Sequence, residues 1–137
     1  MVRTIIRDTL KLNRKAQPAT KADLGAARDL LDTLIANADK CAGLAANMIG
    51  ENKRIIAFFA GTIPIVMINP KILSHSEKTY QTEEGCLSLD GMRPVTRYES
   101  VVMEFYDMMM KKHKASYSGF TAEVIQHELD HCSGILI

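Results

Sequence analysis

This sequence has few cysteines, a net charge close to zero and no long apolar run, and each of these features excludes a class of protein. Three cysteines without framework spacing do not make a disulfide scaffold, and they indicate a reducing compartment. A formal net charge of +1 gives no electrostatic reason to bind nucleic acid or an anionic membrane. No signal peptide is recognisable, and no apolar run approaches the roughly eighteen residues that a membrane span needs. We therefore expect a cytoplasmic protein with no specific nucleic-acid partner and no membrane association.

The rest of the composition is that of an ordinary globular domain. Hydrophobic residues make up 47% of the chain and charged residues 24%, and 137 residues are enough to bury a core without crosslinks. No repeat, low-complexity tract or linker divides the sequence. Residues 1–137 are therefore expected to form a single domain.

The hydrophobic pattern predicts two main helices. Residues 1–19 look irregular, and Thr20 is a candidate N-cap for a helix that continues to about Asp39, with apolar residues at helical spacing. The last helix covers about 120–132, with Gly134 just past its end as a C-cap.

Between these helices the sequence predicts strands. Their expected ranges are 54–59, 65–73 and 101–106, with an extended piece after Pro94 and a hairpin return over 108–114. This order of a helix, a group of antiparallel strands and a last helix is typical of an α+β fold.

The most informative segment is the sequence His-Glu-Leu-Asp-His at 127–131. On a helix, His127 and His131 lie one turn apart on the same face and can bind one metal ion. Glu128 lies beside them, where it can move protons to and from a water that the metal activates. Taken alone, the pattern also fits a solvent-facing helix without a metal.

A catalytic site of this kind needs a third protein ligand and one open position. That ligand is either Cys132 or lies upstream, and the upstream candidates are Cys41, His75, Cys86, His113 and the acidic residues. Cys86 stands out because Gly85 precedes it, which suits a bend or a close backbone approach. The alternative for Cys86 is a small buried hydrophobic residue.

Two intact motifs and part of a third resemble those of the peptide deformylase family. Residues 84–88 read Glu-Gly-Cys-Leu-Ser, and residues 126–131 read Gln-His-Glu-Leu-Asp-His. Residues 41–48 match in part a glycine- and alanine-rich motif that ends in glutamine in the family. The motifs follow in the family's order and span nearly the whole chain, which therefore resembles a short, divergent member.

The resemblance implies a metal-dependent hydrolase that removes the N-formyl group from the N-terminal formylmethionine of nascent peptides and releases formate. It implies Cys86, His127 and His131 as metal ligands and Glu128 as the general base, then as the acid that protonates the leaving amine. Fe(II) is the metal that the family favours, and Zn, Ni or Co can substitute. The expected partners are N-formylmethionyl peptides, met at the ribosome. The expected fold has antiparallel β-sheets around a central metal-binding helix, with an N-terminal helix.

The resemblance also implies a peptide-binding cleft. Backbone groups at Gly43 and Leu44 would hold the substrate like an added strand, and the backbone N–H of Leu87 would donate to the oxyanion. Phe120 and Val124 are expected to form walls of the methionine pocket, although both also fit plain core positions.

The resemblance also implies two supporting positions. Glu84 and Arg97 match residues that the family keeps, and their expected role is to support the metal ligands. Glu84 is also counted among the expected substrate-binding positions. Arg97 is expected to pair with Asp130.

The first motif departs from the family at two positions. Met48 stands where the family has a glutamine whose amide helps to hold the oxyanion, and loss of one such donor typically costs about 10²–10³ in turnover. Cys41 replaces a glycine, which narrows the cleft. Two alternatives to a working deformylase therefore stay open. One is a metal-binding protein with weak or lost activity and an accessory role, and the other is a hydrolase of a different formylated or acylated amine.

Overall fold

A computed structural model describes all 137 residues. Its helices are α1 (Thr9–Leu12), α2 (Leu24–Ala36) and α3 (Gly119–Cys132), with 3₁₀ turns at Lys21–Asp23 and Ala46–Ile49. Its strands are β1 (Gly43–Ala45), β2 (Ile55–Ala60), β3 (Ile63–His75), β4 (Thr79–Cys86), β5 (Leu89–Tyr98), β6 (Ser100–Tyr106) and β7 (Lys112–Ser118). No helix combines the length and the hydropathy needed to cross a bilayer.

The strands form two antiparallel sheets that flank α3. Five strands pair in the order β1-β2-β3-β6-β7, and β4 pairs with β5 in a separate two-stranded sheet. Ala122 and Ile125 of α3 are fully buried in one core with Leu30 and Leu34 of α2 and with residues of β2. The predicted α+β architecture, with antiparallel sheets around the motif helix, is confirmed.

The N-terminal part of the chain corrects two of the predicted boundaries. Thr20 caps the 3₁₀ turn Lys21–Asp23 that leads directly into α2, since its hydroxyl accepts from Ala22 N–H while its own N–H donates to Asp23; the residue before α2 itself is Asp23. The α-helix itself ends at Ala36 rather than near Asp39. Residues 1–19 are not wholly irregular, because a cap at Asp8 supports the short helix α1.

The sequence analysis missed two strands, the short β1 and the longer β4. β4 (Thr79–Cys86) carries mostly polar residues and lacks a clean apolar alternation. Its backbone is satisfied by pairing with β5 over most of its length rather than by burial of one face, so hydrophobic periodicity carries no signal for it. This strand matters for function because Cys86 is its last residue.

Gly134 ends α3 as predicted, and substitution of this residue tests its capping role. It adopts φ +78°, and a Cβ there would lie 2.9–3.1 Å from backbone atoms of Arg14. Gly134→Ala is therefore expected to lower the free energy of unfolding by about 2–4 kcal/mol, through left-handed strain and overpacking.

Gly25 is the matched control, because it is exposed in α2 and a Cβ there has nothing within 4 Å. Gly25→Ala should raise the free energy of unfolding by roughly 0.4–1 kcal/mol. Urea denaturation measures both variants, and equal effects would contradict the capping role of Gly134.

Candidate metal centre

Helix α3 and the end of β4 bring three potential metal ligands together. The ligand atoms of Cys86, His127 and His131 all lie within 4.8 Å of one another. The Nε2 atoms of the two imidazoles are 3.2 Å apart. Two nitrogens at 2.0–2.1 Å from a tetrahedral ion would be separated by about 3.3–3.4 Å, so this spacing fits a divalent metal. A thiolate with two imidazoles is a donor set that such metals accept.

A buried carboxylate orients the first histidine. His127 Nδ1 lies 2.7 Å from Glu84 Oε1, so its N–H donates to Glu84 and Nε2 is left with its lone pair toward the other ligands. Arg97 donates to both oxygens of Glu84, from Nη2 at 2.7 Å and from Nε at 3.1 Å. Burial alone would raise the pKa of Glu84, but the hydrogen bonds from His127 and Arg97 lower it to about 2.

Arg97 also reaches the motif helix. Its Nη1 donates to Asp130 Oδ2 at 2.6 Å, which is the pairing expected from the sequence. Arg97 thus links β5 to Glu84 on β4 and to Asp130 on α3. Since Asp130 precedes His131, this contact secures the turn of the helix that carries the second imidazole.

His131 is held in the neutral form that a metal ligand requires. Burial, together with the neighbouring His127, lowers its pKa to about 3. Its backbone carbonyl accepts from the Asn47 side chain at 2.9 Å. Asn47, for which the sequence suggested no role, therefore fastens the end of α3 to the 3₁₀ turn Ala46–Ile49.

Glu128 is a buried carboxyl group with one oxygen free. It is 4% exposed, and its Oε1 has no hydrogen-bond partner within the protein. Burial raises its pKa to about 7, while the charges of His127 and Arg97 oppose that rise. A carboxyl group with a pKa near neutrality can both accept and donate a proton, which suits general acid–base chemistry.

Gly43 allows the backbone of β1 to approach this carboxyl group closely. A Cβ at Gly43 would lie 2.7 Å from Val124 Cγ1 and 3.1 Å from Glu128 Oε2. β1 is also an edge strand, since it pairs only with β2. The free edge can therefore accept an additional extended chain beside Glu128.

Cys86 and His127 line a cavity of about 700 Å³, whereas His131 does not line it and is fully buried. Among the residues predicted from the sequence, its lining includes Gly43, Glu84, Cys86, Leu87, Phe120, Val124, His127 and Glu128. Leu44 does not line it and is fully buried, so only its backbone is available to a substrate.

Met48 lies behind the cavity wall. It is 1% exposed and does not line the cavity, and its Sδ accepts from Ala45 N–H at 3.4 Å. The side chain therefore turns back on its own loop and offers no donor.

The remaining candidate ligands lie apart from the cluster. His75 is exposed and stacks on Tyr98, and His113 is exposed and pairs with Asp107. Cys41 lines the cavity, but neither it nor Cys132 belongs to the group of potential ligands.

Five charged residues of the cavity lining were not among the predicted site residues, namely Arg7, Lys40, Glu83, Asp90 and Glu123. Glu123 lines it between Phe120 and His127 on one face of α3, and Tyr80 donates to its carboxylate at 2.9 Å. The helical spacing of Glu123 from His127 could have revealed it. Arg7 lines the cavity from the N-terminal segment, and no local pattern predicts a contact across eighty residues of chain.

Comparisons with known proteins agree with this geometry. A family model described as polypeptide deformylase matches residues 3–137. The peptide deformylase of Clostridium beijerinckii is 50% identical over 137 residues, covering 100% of both chains. That of Dictyoglomus thermophilum is 39% identical over 131 residues, covering 92% of this chain and 83% of the relative. The crystal structure of a class I type b peptide deformylase from Acinetobacter baumannii bound to Met-Ala-Ser superposes with a TM-score of 0.89. It is 27% identical and covers 99% of this chain and 97% of its own.

Substitution of Arg97 tests the role of the buried Arg97–Glu84 pair in stability and metal binding. Arg97→Met leaves the Glu84 carboxylate buried with His127 as its only strong partner. The free energy of unfolding should fall by about 3–5 kcal/mol, as is usual when one member of a buried ion pair is removed. Because His127 loses its fixed orientation, metal affinity should fall about 10–100-fold.

Chelator competition and urea denaturation measure these two effects. Lys78→Ala is the control, since Lys78 forms an exposed ion pair with Glu99, and it should change neither quantity measurably. Unchanged metal affinity in a folded Arg97→Met protein would contradict the role of Glu84 in orienting His127.

Proposed function

The chain belongs to the peptide deformylase family, and on that premise we propose how its residues remove the N-formyl group from the N-terminal formylmethionine of peptides. Peptide deformylase activity makes the protein a metal-dependent hydrolase that releases formate. The comparisons lend no support to an accessory binding role or to a different acylated amine. The observation that carries the proposal is the cluster of Cys86, His127 and His131 beside the unpaired oxygen of Glu128.

Cys86, His127 and His131 would hold one divalent metal. Such an ion polarises the formyl carbonyl and makes water a better nucleophile at neutral pH. We propose Fe(II) as the physiological metal, and the mixed sulfur and nitrogen donors also suit Zn, Ni or Co.

Glu128 would accept the proton of the attacking water and then deliver it to the departing amine. Its raised pKa, its burial and its free oxygen support this double role, because the same group must gain and lose a proton within one cycle.

The backbone N–H of Leu87 would donate a hydrogen bond to the oxygen that becomes negative in the transition state. The family's second donor is missing because Met48 has no N–H group on its side chain. Leu87 therefore carries a larger part of this stabilisation here than in relatives that have the glutamine.

The peptide itself would pair with the free edge of β1. Backbone groups of Gly43 and Leu44 offer the hydrogen bonds of an added strand, and Phe120 and Val124 offer apolar walls for the methionine side chain. The structurally similar Acinetobacter baumannii deformylase was solved with Met-Ala-Ser bound, which supports a formylated tripeptide of this sequence as a test substrate. Glu84 would act on the substrate only indirectly, since its oxygens bind Arg97 and His127.

We further propose that residues 1–137 work as one domain in the cytoplasm, on chains that emerge from the ribosome. The three free cysteines and a thiolate ligand suit a reducing compartment. Formylmethionine is present on a chain from the start of its synthesis, so the substrate is accessible there.

Formate release from formyl-Met-Ala-Ser by protein loaded anaerobically with Fe(II) tests the proposed function. Glu128→Gln keeps the shape of the side chain and removes its basicity, so kcat should fall about 10²–10⁴-fold. Bound metal should stay at the wild-type level, because Glu128 is not a ligand.

Glu77→Gln, at an exposed position outside the cavity, is the matched control and should keep wild-type kcat. Wild-type turnover that survives Glu128→Gln would exclude Glu128 as the acid–base group. An inert wild type with full metal content would reject the proposed substrate.

Met48 generates a further prediction about rate. Met48→Gln introduces the missing amide donor next to Ala45 N–H, which can donate to the new carbonyl oxygen. We expect kcat to rise by up to about tenfold, a fraction of the 10²–10³ that such donors contribute elsewhere. Stability should fall by about 1–3 kcal/mol because a polar group enters a buried site.

Met48→Leu is the control, since it keeps an apolar side chain of similar volume and should leave kcat unchanged. Steady-state kinetics and thermal unfolding on the same preparations separate the two effects. A stable Met48→Gln protein with unchanged kcat would show that the amide does not reach the oxyanion.

A further inference from the structure

The N-terminal segment contacts both loops that border the metal centre. Ile6 N–H donates to the carbonyl of Met48 at 2.7 Å. The next residue, Arg7, donates through Nη1 to the carbonyl of Leu87 at 3.1 Å and through Nη2 to Asp90 at 2.6 Å. Two successive residues thus join the loop of the first motif to the loop of the second.

We propose that Arg7 is a positioning residue for deformylation, which holds the Leu87 peptide so that its N–H stays directed at the developing oxyanion. This inference rests on the proposed function of Leu87. Arg7 is assigned no contact with the reacting atoms, and its effect passes through the backbone of Leu87.

The sheet by itself does not hold Leu87 in place. β4 and β5 pair Cys86 with Leu89, so Leu87 and Ser88 are the two turn residues outside the ladder. The register also shifts between Glu84 and Cys86. The β4–β5 pair is separate from the five-stranded sheet, and no neighbouring strand secures this turn.

A single contact to the Leu87 carbonyl is enough to influence the N–H of the same residue. The carbonyl belongs to the peptide unit that follows this N–H, and the soft φ and ψ angles of Leu87 lie between the two groups. On the preceding side, Cys86 is already held by its pairing with Leu89. Anchoring the carbonyl therefore restrains the Leu87 backbone from both sides, and oxyanion stabilisation depends on donors that are already in place before the reaction.

The guanidinium group suits this task better than another cation would. Its planar fork donates in two directions at once, to the Leu87 carbonyl and to Asp90 at the start of the hairpin's return strand. A lysine ammonium at the same place is a point charge on a flexible stem. The Arg7 side chain is 54% exposed, so its replacement should not unfold the protein.

The position of Arg7 at the cavity suggests an alternative role, a direct contact with substrate. Such a contact would involve the C-terminal carboxylate of a short peptide, and it would act on KM. A positioning role acts on kcat, because the Leu87 hydrogen bond strengthens in the transition state. The two roles therefore separate in steady-state kinetics.

The test uses Fe(II)-loaded protein with formyl-Met-Ala-Ser and with its C-terminal amide. Arg7→Ala should lower kcat about tenfold on both peptides with KM nearly unchanged, the scale of one charge-assisted hydrogen bond. Arg7→Lys should recover only part of that loss. Asp90→Asn, which leaves the contact to Leu87, should lower kcat by no more than about twofold.

Arg14→Ala is the control, since Arg14 is exposed on the same N-terminal segment and does not line the cavity. A second readout does not depend on turnover. In ¹H–¹⁵N spectra of zinc-loaded protein, Arg7→Ala should shift or broaden the amide signals of Leu87 and Ser88, and Arg14→Ala should not.

The inference is overturned if the wild type turns over and Arg7→Ala has the same kcat, or if the Leu87 and Ser88 amide signals do not move in Arg7→Ala. In either case the proposed function still stands. A rise in KM that is confined to the free-carboxylate peptide would overturn the inference in favour of substrate binding. A wild type without turnover would instead reject the proposed function, and with it any positioning role in deformylation.

Discussion

The buried contact between Arg97 and Glu84 is the interaction on which the metal centre depends. Arg97 and Glu84 are 5% and 7% exposed, so both charges are removed from water, and such a pair is stable only when its remaining hydrogen-bonding capacity is also satisfied. Here that condition is met, because His127 and Asp130 take up the other donor and acceptor positions. The pair therefore connects the small β4–β5 sheet to α3, and the same connection sets the orientation of the ligand imidazole.

The centre combines groups whose protonation is driven in opposite directions by their surroundings. Glu84 stays ionised because Arg97 and His127 donate to it, whereas Glu128, equally buried but without a donor, has its pKa raised. One carboxylate thus serves as a fixed charge that holds the site, and the other is free to exchange a proton. The separation follows from burial, hydrogen bonds and neighbouring charges, since the two side chains have the same chemistry.

Residues that act through short-range spacing could be predicted from the sequence, and residues that act across the chain could not. The candidate ligands His127 and His131 and the proposed acid Glu128 lie on one helix, where periodicity determines their arrangement. The capping roles of Thr20 and Gly134 follow from local backbone chemistry. β4 escaped prediction because pairing rather than burial stabilises it. Asn47 and Arg7 escaped because each acts on a backbone carbonyl far along the chain, and such a contact leaves no pattern in the residues around it.

The altered first motif bears on which groups can donate hydrogen bonds to the oxyanion, side chains or backbone. Met48 packs into the core and bonds to its own loop. In the proposed mechanism, the stabilisation of the oxyanion therefore falls to the metal and to the backbone of the β4–β5 turn. Leu87 lies in a two-residue turn, so the direction of its N–H depends on the contacts that hold that turn. The N-terminal segment supplies such contacts to both loops at once, through Ile6 and Arg7. If Leu87 donates to the oxyanion as proposed, loss of a side-chain donor in the first motif makes the N-terminal segment part of what determines the catalytic geometry.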